Sequence, residues 1–218
     1  MMSLLSEEDK REVQARLVDL KGQVKLIMFT QELECQYCRE TQALLEDVAS
    51  LSDKISLEVY NFVLDKEKAE QYGVDKIPAT VVEGEKDYGI RFYGVPSGYE
   101  FSSLVEAIKI VSTGESGLTA QTKEALARID KPIHIQVFVT PTCPYCPAAV
   151  SLAHRLALES DFIRADGVLA GEFPHLIRRY NIYAVPKVII NERVEFEGAL
   201  PEESFVQQVL MAAEVPQG

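Results

Sequence analysis

The tetrapeptide Cys-X-Tyr-Cys occurs twice in this chain, and its two copies contain all four cysteines of the sequence. The copies are Cys35-Gln36-Tyr37-Cys38 and Cys143-Pro144-Tyr145-Cys146, so they lie 143 − 35 = 108 positions apart. The same offset carries Pro78 onto Pro186, each 40 residues after the second cysteine of its motif (78 − 38 and 186 − 146). A shared offset over two motifs predicts an internal duplication, with one dithiol in each unit.

The length of 218 residues also favours two units, since domains of about 100 residues can each bury an adequate core. The segment Ser112-Thr113-Gly114-Glu115-Ser116-Gly117 has the composition of a linker, with two glycines, two serines and no apolar anchor. We therefore predict a first unit at residues 1–117 and a second unit at residues 118–218.

Hydrophobic periodicity predicts α/β structure in both units, with each dithiol at a strand-to-helix junction. In the first unit a strand at Val24 to Phe29 precedes a helix that opens at Cys35. In the second unit a strand at Ile133 to Thr140 precedes a helix from Cys143 through Leu158, and a further strand is expected at Phe162 to Ala165.

The charge balance bears on the partners. Lysine and arginine total 22 against 34 acidic residues, a formal net charge of −12, which argues against nucleic acid and anionic lipid as partners. No apolar run approaches the roughly 20 residues of a membrane span, and the first residues are charged, unlike a signal peptide. We therefore expect a soluble cytosolic protein with no membrane partner. Thiols are generally kept reduced in the cytosol, so the paired cysteines are expected to be catalytic or metal-binding.

Thiol–disulfide exchange requires a thiolate, whereas a free cysteine with a pKa of about 8.5 is mostly protonated near neutral pH. A helix N-terminus stabilises the anion through its unpaired N–H groups and its dipole. Cys35 and Cys143 are accordingly the candidate nucleophiles. Cys38 and Cys146, one helical turn further on, are the candidate resolving thiols, which release a substrate from a mixed disulfide.

At these motifs the chain resembles a known family. Cys143-Pro144-Tyr145-Cys146 matches the glutaredoxin active-site sequence, and its context from Val139 to Pro147 supports the match. The tandem arrangement is similar to the glutaredoxin-like protein disulfide oxidoreductases of thermophilic archaea and bacteria. The resemblance implies two thioredoxin-like domains, each a central mixed sheet flanked by helices. It further implies reduction, oxidation and isomerisation of protein disulfides, with electrons from a thioredoxin-reductase-like flavoprotein. No bound cofactor is expected, because the cysteines carry the electrons.

In that fold the proline after the dithiol is cis and faces it, which makes Ile77-Pro78 and Val185-Pro186 the candidates. A cis bond would turn the backbone of the preceding residue outward, where an extended substrate strand could pair with it. Each proline could alternatively be an ordinary trans residue that starts a strand. Tyr37 and Tyr145 either shape the substrate surface or pack beside the sulfurs.

The chain departs from thioredoxins proper at one chemically important position. Those proteins keep a buried carboxylate six residues before the first cysteine, whereas this chain has Phe29 and Val137 there. Proton transfer to and from the dithiols must therefore use another group or water.

Three alternatives remain open from the sequence. Four cysteines in two pairs can bind zinc, but zinc ribbons place their pairs about 15–20 residues apart, far closer than here. A thioredoxin-fold chaperone or binding module with incidental dithiols is a second alternative. The third is an electron shuttle to a peroxiredoxin, similar to the N-terminal portion of alkyl-hydroperoxide reductase flavoproteins. Such portions usually retain one working dithiol, and the two intact motifs count against it.

Overall fold

The computed structural model describes residues 4–214, so the outer ends of the two predicted units, residues 1–3 and 215–218, lie outside the described residues. Within residues 4–214 no helix is long and apolar enough to cross a bilayer. In chain order the elements are α1 (Glu7–Arg16), β1 (Val24–Thr30), α2 (Cys38–Ala49), β2 (Ile55–Asn61), α3 (Lys66–Gln71), β3 (Ala79–Glu83), β4 (Asp87–Tyr93), α4 (Glu100–Thr113), α5 (Ala120–Leu126), β5 (Ile133–Val139), α6 (Cys146–Glu159), β6 (Ile163–Leu169), a 3₁₀ helix (Ala170–Glu172), α7 (Pro174–Arg179), β7 (Lys187–Ile190), β8 (Val194–Glu197) and α8 (Glu202–Glu214).

The strand pairings repeat from one unit to the other. In the first unit β1 pairs parallel with β2 and antiparallel with β3, and β4 pairs antiparallel with β3. In the second unit β5 pairs parallel with β6 and antiparallel with β7, and β8 pairs antiparallel with β7. Each unit thus has the mixed sheet that the resemblance implies, and the predicted duplication is present in the fold.

The two sheets are joined into one. Strand β4 pairs parallel with β6, from Ile90 opposite Ala165 to Tyr93 opposite Val168. The result is a continuous eight-stranded sheet in the order β2-β1-β3-β4-β6-β5-β7-β8. The pairing satisfies the backbone groups that each unit would otherwise expose at an edge strand. Local sequence patterns do not report this contact between units.

Strand β6 is longer than the predicted strand at Phe162 to Ala165. It continues through Asp166 and Gly167 to Leu169, although a charged residue and a glycine in succession usually indicate the end of a strand. Asp166 is fully buried and accepts hydrogen bonds from His134 Nε2 at 2.6 Å and Arg164 Nε at 3.0 Å. A buried charge with such partners is compatible with a central strand.

The predicted linker is shorter than expected. Helix α4 continues through Ser112 and Thr113 and ends where Gly114 adopts the left-handed conformation, with φ of 68°. Ser112 is buried, and its Oγ accepts hydrogen bonds from the amides of Lys21 at 2.8 Å and Gly22 at 3.1 Å. Composition alone did not reveal this anchoring because the partners lie about 90 residues away in the sequence.

Helices cover both faces of the sheet. In β1, Leu26 and Met28 pack into the larger apolar core with α2, α4 and α6, whereas Ile27 and Phe29 pack into a second core on the other face. All four are fully buried, so the strand reads in the sequence as a continuous apolar run. This packing holds the carboxyl ends of β1 and β5 in place, and both dithiols follow those ends.

Candidate active site

Each dithiol lies in the connection between a central strand and the helix that follows it. Cys35 and Cys38 come after β1, and Cys143 and Cys146 come after β5. Both pairs form disulfides within their own motif, each with a Cα–Cα distance of 5.5 Å. The four cysteines are therefore divided between two sites, one in each unit.

The helices begin three residues later than predicted. Helix α2 starts at Cys38 and α6 at Cys146, with a tyrosine of the motif at each N-cap. The first cysteines lie in the preceding turns. Glu34 has a left-handed φ of 61°, and the amide of Cys143 donates to Thr140 O at 3.2 Å. These turns delay the helices, and hydrophobic periodicity does not register them.

The helix N-terminus nonetheless faces the first cysteine in the second unit. The amide of Cys146, the first residue of α6, donates a hydrogen bond to Cys143 Sγ at 3.2 Å. A backbone N–H directed at the sulfur, together with the positive end of the helix dipole, stabilises a thiolate there. This is the electrostatic device that the motif position predicts, delivered from just outside the helix.

Burial differs between the two cysteines of each pair. Cys38 is 1% exposed and Cys146 is 0% exposed. Cys143 is 8% exposed and Cys35 is half-buried, so the first cysteine is the more accessible one in both units. An incoming disulfide therefore meets the first sulfur before the second.

Both candidate prolines follow cis peptide bonds, Ile77-Pro78 and Val185-Pro186, as expected. In the second unit Val185 O lies 3.8 Å from Cys143 Sγ, which places this segment directly beside the reactive sulfur. In the first unit Ile77 and Cys35 both pack at the margin of the same apolar core. Tyr37 is half-buried and Tyr145 is 71% exposed, so only Tyr145 presents most of its ring to solvent.

Two buried carboxyl groups lie near the dithiols, and the sequence analysis did not identify them. Glu100, at the start of α4, is 1% exposed, and burial raises its pKa to about 7 against the opposing hydrogen bond from the Ser103 hydroxyl. Burial likewise raises the pKa of Glu172 to about 7, although the hydrogen bond from the Val95 amide opposes the increase. Within residues 4–214, Glu100 Oε1 and Glu172 Oε2 accept no hydrogen bond.

Each of these carboxyl groups lies near the dithiol of the opposite unit. Next to Glu100, the amide of Tyr99 donates to Pro141 O at 2.9 Å, two residues before Cys143. Gly98 makes this approach possible: its φ is 60°, and a β-carbon there would collide with Pro141 O.

Glu172, from the second unit, lines a cavity of about 220 Å³ together with Tyr37 and Glu40 of the first dithiol region. Pro141 lines the same cavity, which therefore reaches from one dithiol region to the other. No local sequence pattern marks these two glutamates, because their positions depend on the contact between the units.

The histidines take no part in the dithiol sites. His154 is fully buried under β4, with Nε2 3.3 Å from Arg91 O and its ring edge-on to Phe92, and burial lowers its pKa to about 4. A neutral imidazole in this position packs the two units together. Within the described residues, no group of three or more histidine, cysteine or acidic side chains is arranged to hold a metal ion.

Comparison with known proteins agrees with this architecture. A family model described as "Thioredoxin domain" matches residues 23–106 and 133–211, one match in each unit. A protein disulfide oxidoreductase from Aeropyrum pernix K1 is 33% identical, with 98% of this chain and 95% of that chain covered and a TM-score of 0.91. The NTD_N/C domain of alkylhydroperoxide reductase AhpF from Enterococcus faecalis is 28% identical, with 94% of this chain and 99% of that chain covered and a TM-score of 0.88.

Among curated relatives, the AhpF protein of the alkyl hydroperoxide reductase of Pseudomonas aeruginosa is 27% identical over 171 residues, which is 78% of this chain and 31% of that protein. The chain thus spans about a third of the length of this relative. The family model covers most of both units, and two intact dithiols stand at the matching helix N-termini. The chain therefore belongs to the thioredoxin domain family.

Proposed function

We propose that this protein is a dithiol–disulfide oxidoreductase that acts on protein disulfides by thiol–disulfide exchange at both Cys-X-Tyr-Cys sites. The observation that carries the proposal is the pairing of an accessible first cysteine with a buried second cysteine at the start of α2 and again of α6. We assign the protein to the cytosol, where its dithiols would be kept reduced.

In the reducing direction, the Cys143 thiolate attacks one sulfur of a substrate disulfide. A mixed disulfide forms, and the other substrate sulfur leaves as a thiolate that takes up a proton. Cys146 then loses its proton and attacks Cys143 Sγ, which forms the Cys143–Cys146 disulfide and releases the second substrate thiolate. Two electrons have passed from the protein to the substrate. Cys35 and Cys38 perform the same steps in the first unit, and reversal of the steps oxidises a substrate dithiol.

The proton of the resolving cysteine needs an acceptor, because that sulfur is buried away from bulk water. Glu100 is our candidate acceptor for Cys146, and Glu172 for Cys38. A carboxyl group whose pKa is about 7 is well matched to proton transfer near neutral pH. Because each glutamate comes from the opposite unit, each site would depend on the other unit for its acid–base chemistry.

Substrate binding is assigned to the segments beside the sulfurs. In the described residues, the amides of Ile77 and Val185 donate no hydrogen bond, so both are available to pair with an extended substrate strand. The ring of Tyr145 would contact the substrate at the second site, and Tyr37 would contribute at the first. We further propose that a thioredoxin-reductase-like flavoprotein returns the oxidised dithiols to the reduced state.

Insulin reduction tests the proposal. With dithiothreitol as the electron source, the parent protein should accelerate insulin precipitation, and a Cys35→Ser, Cys143→Ser double variant should not. Retention of the parent rate in the double variant would show that the dithiols are incidental, as expected of a chaperone or binding module. Circular dichroism of the double variant checks that the fold is kept.

A second candidate function is an electron shuttle to a peroxiredoxin. The likeness to a domain of alkylhydroperoxide reductase AhpF over 94% of this chain favours it. A shuttle needs only one working dithiol, so Cys35→Ser or Cys143→Ser alone should then leave full activity. If each single variant instead loses part of the insulin-reductase activity, both dithiols work, as the main proposal requires.

A further inference from the structure

Tyr183 lies two residues before Val185 and is 90% exposed to solvent. Within residues 4–214 its hydroxyl has no hydrogen-bond partner and its ring has no aromatic partner. A tyrosine usually buries most of its ring and keeps only its hydroxyl near water. A ring held almost wholly in solvent beside a reactive site is therefore available for contact with another molecule.

The position of the Tyr183 segment relative to the sulfur is defined by a direct contact. Val185 O lies 3.8 Å from Cys143 Sγ, so a substrate that reacts at Cys143 must pass over this segment. Tyr145, two residues after Cys143, is 71% exposed. The chain next to the sulfur contains Thr142, Pro144 and Tyr145, none of which carries a charge.

The first unit differs at the matching positions. The offset of 108 residues that superposes the two motifs carries Asp75 onto Tyr183 and Lys76 onto Ala184. The Asp75 side chain is 69% exposed and forms an ion pair with Lys76 at 2.6 Å. Lys76 lies over the ring of Tyr93, with Nζ 3.8 Å from the ring centroid. The first site thus presents a charged pair where the second presents an uncharged aromatic ring.

We propose that Tyr183 is a specificity-determining residue, which makes the Cys143–Cys146 site prefer substrate cysteines flanked by aromatic or aliphatic side chains. The Cys35–Cys38 site, with Asp75 at the matching position, lacks this preference. The inference rests on the proposed function and adds to it a division of substrates between the two sites. Such segments are exposed in unfolded proteins and buried in folded ones.

Two short peptides test the preference. They differ only in that the cysteine is flanked on both sides by phenylalanine in one and by serine in the other, and each cysteine carries a quenched fluorescent thiol through a disulfide. The enzyme is the full chain with Cys35→Ser and Cys38→Ser, so that only the second site reacts. The measured quantity is kcat/KM for the phenylalanine peptide divided by kcat/KM for the serine peptide, with dithiothreitol as reductant.

The parent ratio should be about three to ten, the range that one aromatic contact provides. Tyr183→Asp should bring the ratio close to one, whereas Tyr183→Phe should keep it. Phe162→Asp is the matched control: Phe162 is 45% exposed at the opposite end of the sheet, and its replacement should leave the ratio unchanged. In the reciprocal background, with Cys143→Ser and Cys146→Ser, Asp75→Tyr should raise the ratio of the first site.

A parent ratio near one, or an equal ratio in the parent and Tyr183→Asp, would overturn the inference. Loss of the ratio in Tyr183→Phe as well as in Tyr183→Asp would do the same, since the ring alone is assigned the role. Failure of the proposed function gives a different result, because the parent would then reduce neither peptide.

Discussion

Glu172 Oε1 accepts a hydrogen bond of 2.9 Å from the amide of Val95, and this bond joins the second unit to the first. Val95 follows Gly94, whose amide donates to Pro78 O at 2.9 Å. A residue of the second unit is thus tied to the segment that holds the cis proline of the first. Together with the bond from Tyr99 N to Pro141 O, it makes the two dithiol sites structurally dependent on each other.

Replacement of Glu100 by glutamine should lower the insulin-reductase activity of a variant that retains only the second dithiol. The expected loss is about tenfold, below the usual range for general-base catalysis because water can still take the proton. The carboxylate accepts a proton only when ionised, so the parent rate should rise with pH through about 7, the pKa of Glu100. This inflection should be absent in Glu100→Gln, and an unchanged pH profile would exclude Glu100 as the base.

Thermal unfolding of Glu100→Gln provides the structural control. The pKa of Glu100 is raised in the folded state, so ionisation destabilises the fold as the pH rises from about 4.5 to about 7. Glutamine does not ionise, and the variant should be more stable than the parent at pH 8 by about 2 to 3 kcal/mol, but nearly equal at pH 4. Reduced activity in a protein more stable than the parent could not be attributed to unfolding.

Much of the fold could be predicted from the sequence, because its strongest signals are local or periodic. The repeated motif placed Cys35 and Cys143 after central strands, and the equal offsets identified Pro78 and Pro186. The pairing of β4 with β6 and the positions of Glu100 and Glu172 could not be predicted, since they depend on contacts between units. The early end predicted for β6 has the same origin, because Asp166 is stabilised by partners that the local pattern does not reveal.

Replacement of Asp166 by alanine should destabilise the junction between the units. Burial alone would raise the pKa of Asp166, but the hydrogen bond from His134 and the charges of His134 and Arg164 hold it well below its usual range. Arg164 also donates to Tyr93 Oη and to Gly73 O, both at 2.6 Å, so it connects both units. Loss of its carboxylate partner should cost about 3 to 5 kcal/mol of unfolding free energy, measured by urea denaturation near pH 7.

The pH dependence of the Asp166 contribution follows from the direction of its pKa. A carboxyl group whose folded pKa is depressed stabilises the fold above its ordinary value of 3.8, and this stabilisation is lost as the pH falls below that value. The difference between parent and Asp166→Asn should therefore shrink as the pH falls from 5 towards 2. A difference that is constant with pH would mean that the aspartate contributes only through packing.

Alkylation of the reduced protein should modify the first cysteine of each pair before the second. Cys38 and Cys146 are 1% and 0% exposed, whereas Cys35 is half-buried and Cys143 has an amide directed at its sulfur. Iodoacetamide labelling near neutral pH, followed by peptide mass spectrometry, measures the four rates separately. Cys38→Ser and Cys146→Ser should correspondingly accumulate mixed disulfides with substrates. Faster labelling of the second cysteines would reverse the assigned roles.

The two sites should be unequal, with Cys143 the more acidic nucleophile. Cys146 N donates to Cys143 Sγ at 3.2 Å, and within residues 4–214 no amide donates in this way to Cys35 Sγ. Pro144 adds a fixed φ that suits the turn into α6. Both features favour the thiolate at the second site.

The neighbouring charges act in the same direction as the backbone geometry. Glu34 precedes Cys35 and disfavours a second negative charge, whereas Thr142 before Cys143 is neutral. Residues 1–117 contain 13 basic and 22 acidic side chains, a net −9, which leaves −12 − (−9) = −3 for residues 118–218. Thiolate absorbance in variants that retain a single first cysteine should give Cys143 the lower pKa, and Cys143→Ser should cost more reductase activity than Cys35→Ser. A lower pKa at Cys35 would mean that Arg39, on the first turn of α2, offsets Glu34 more strongly than these contributions favour Cys143.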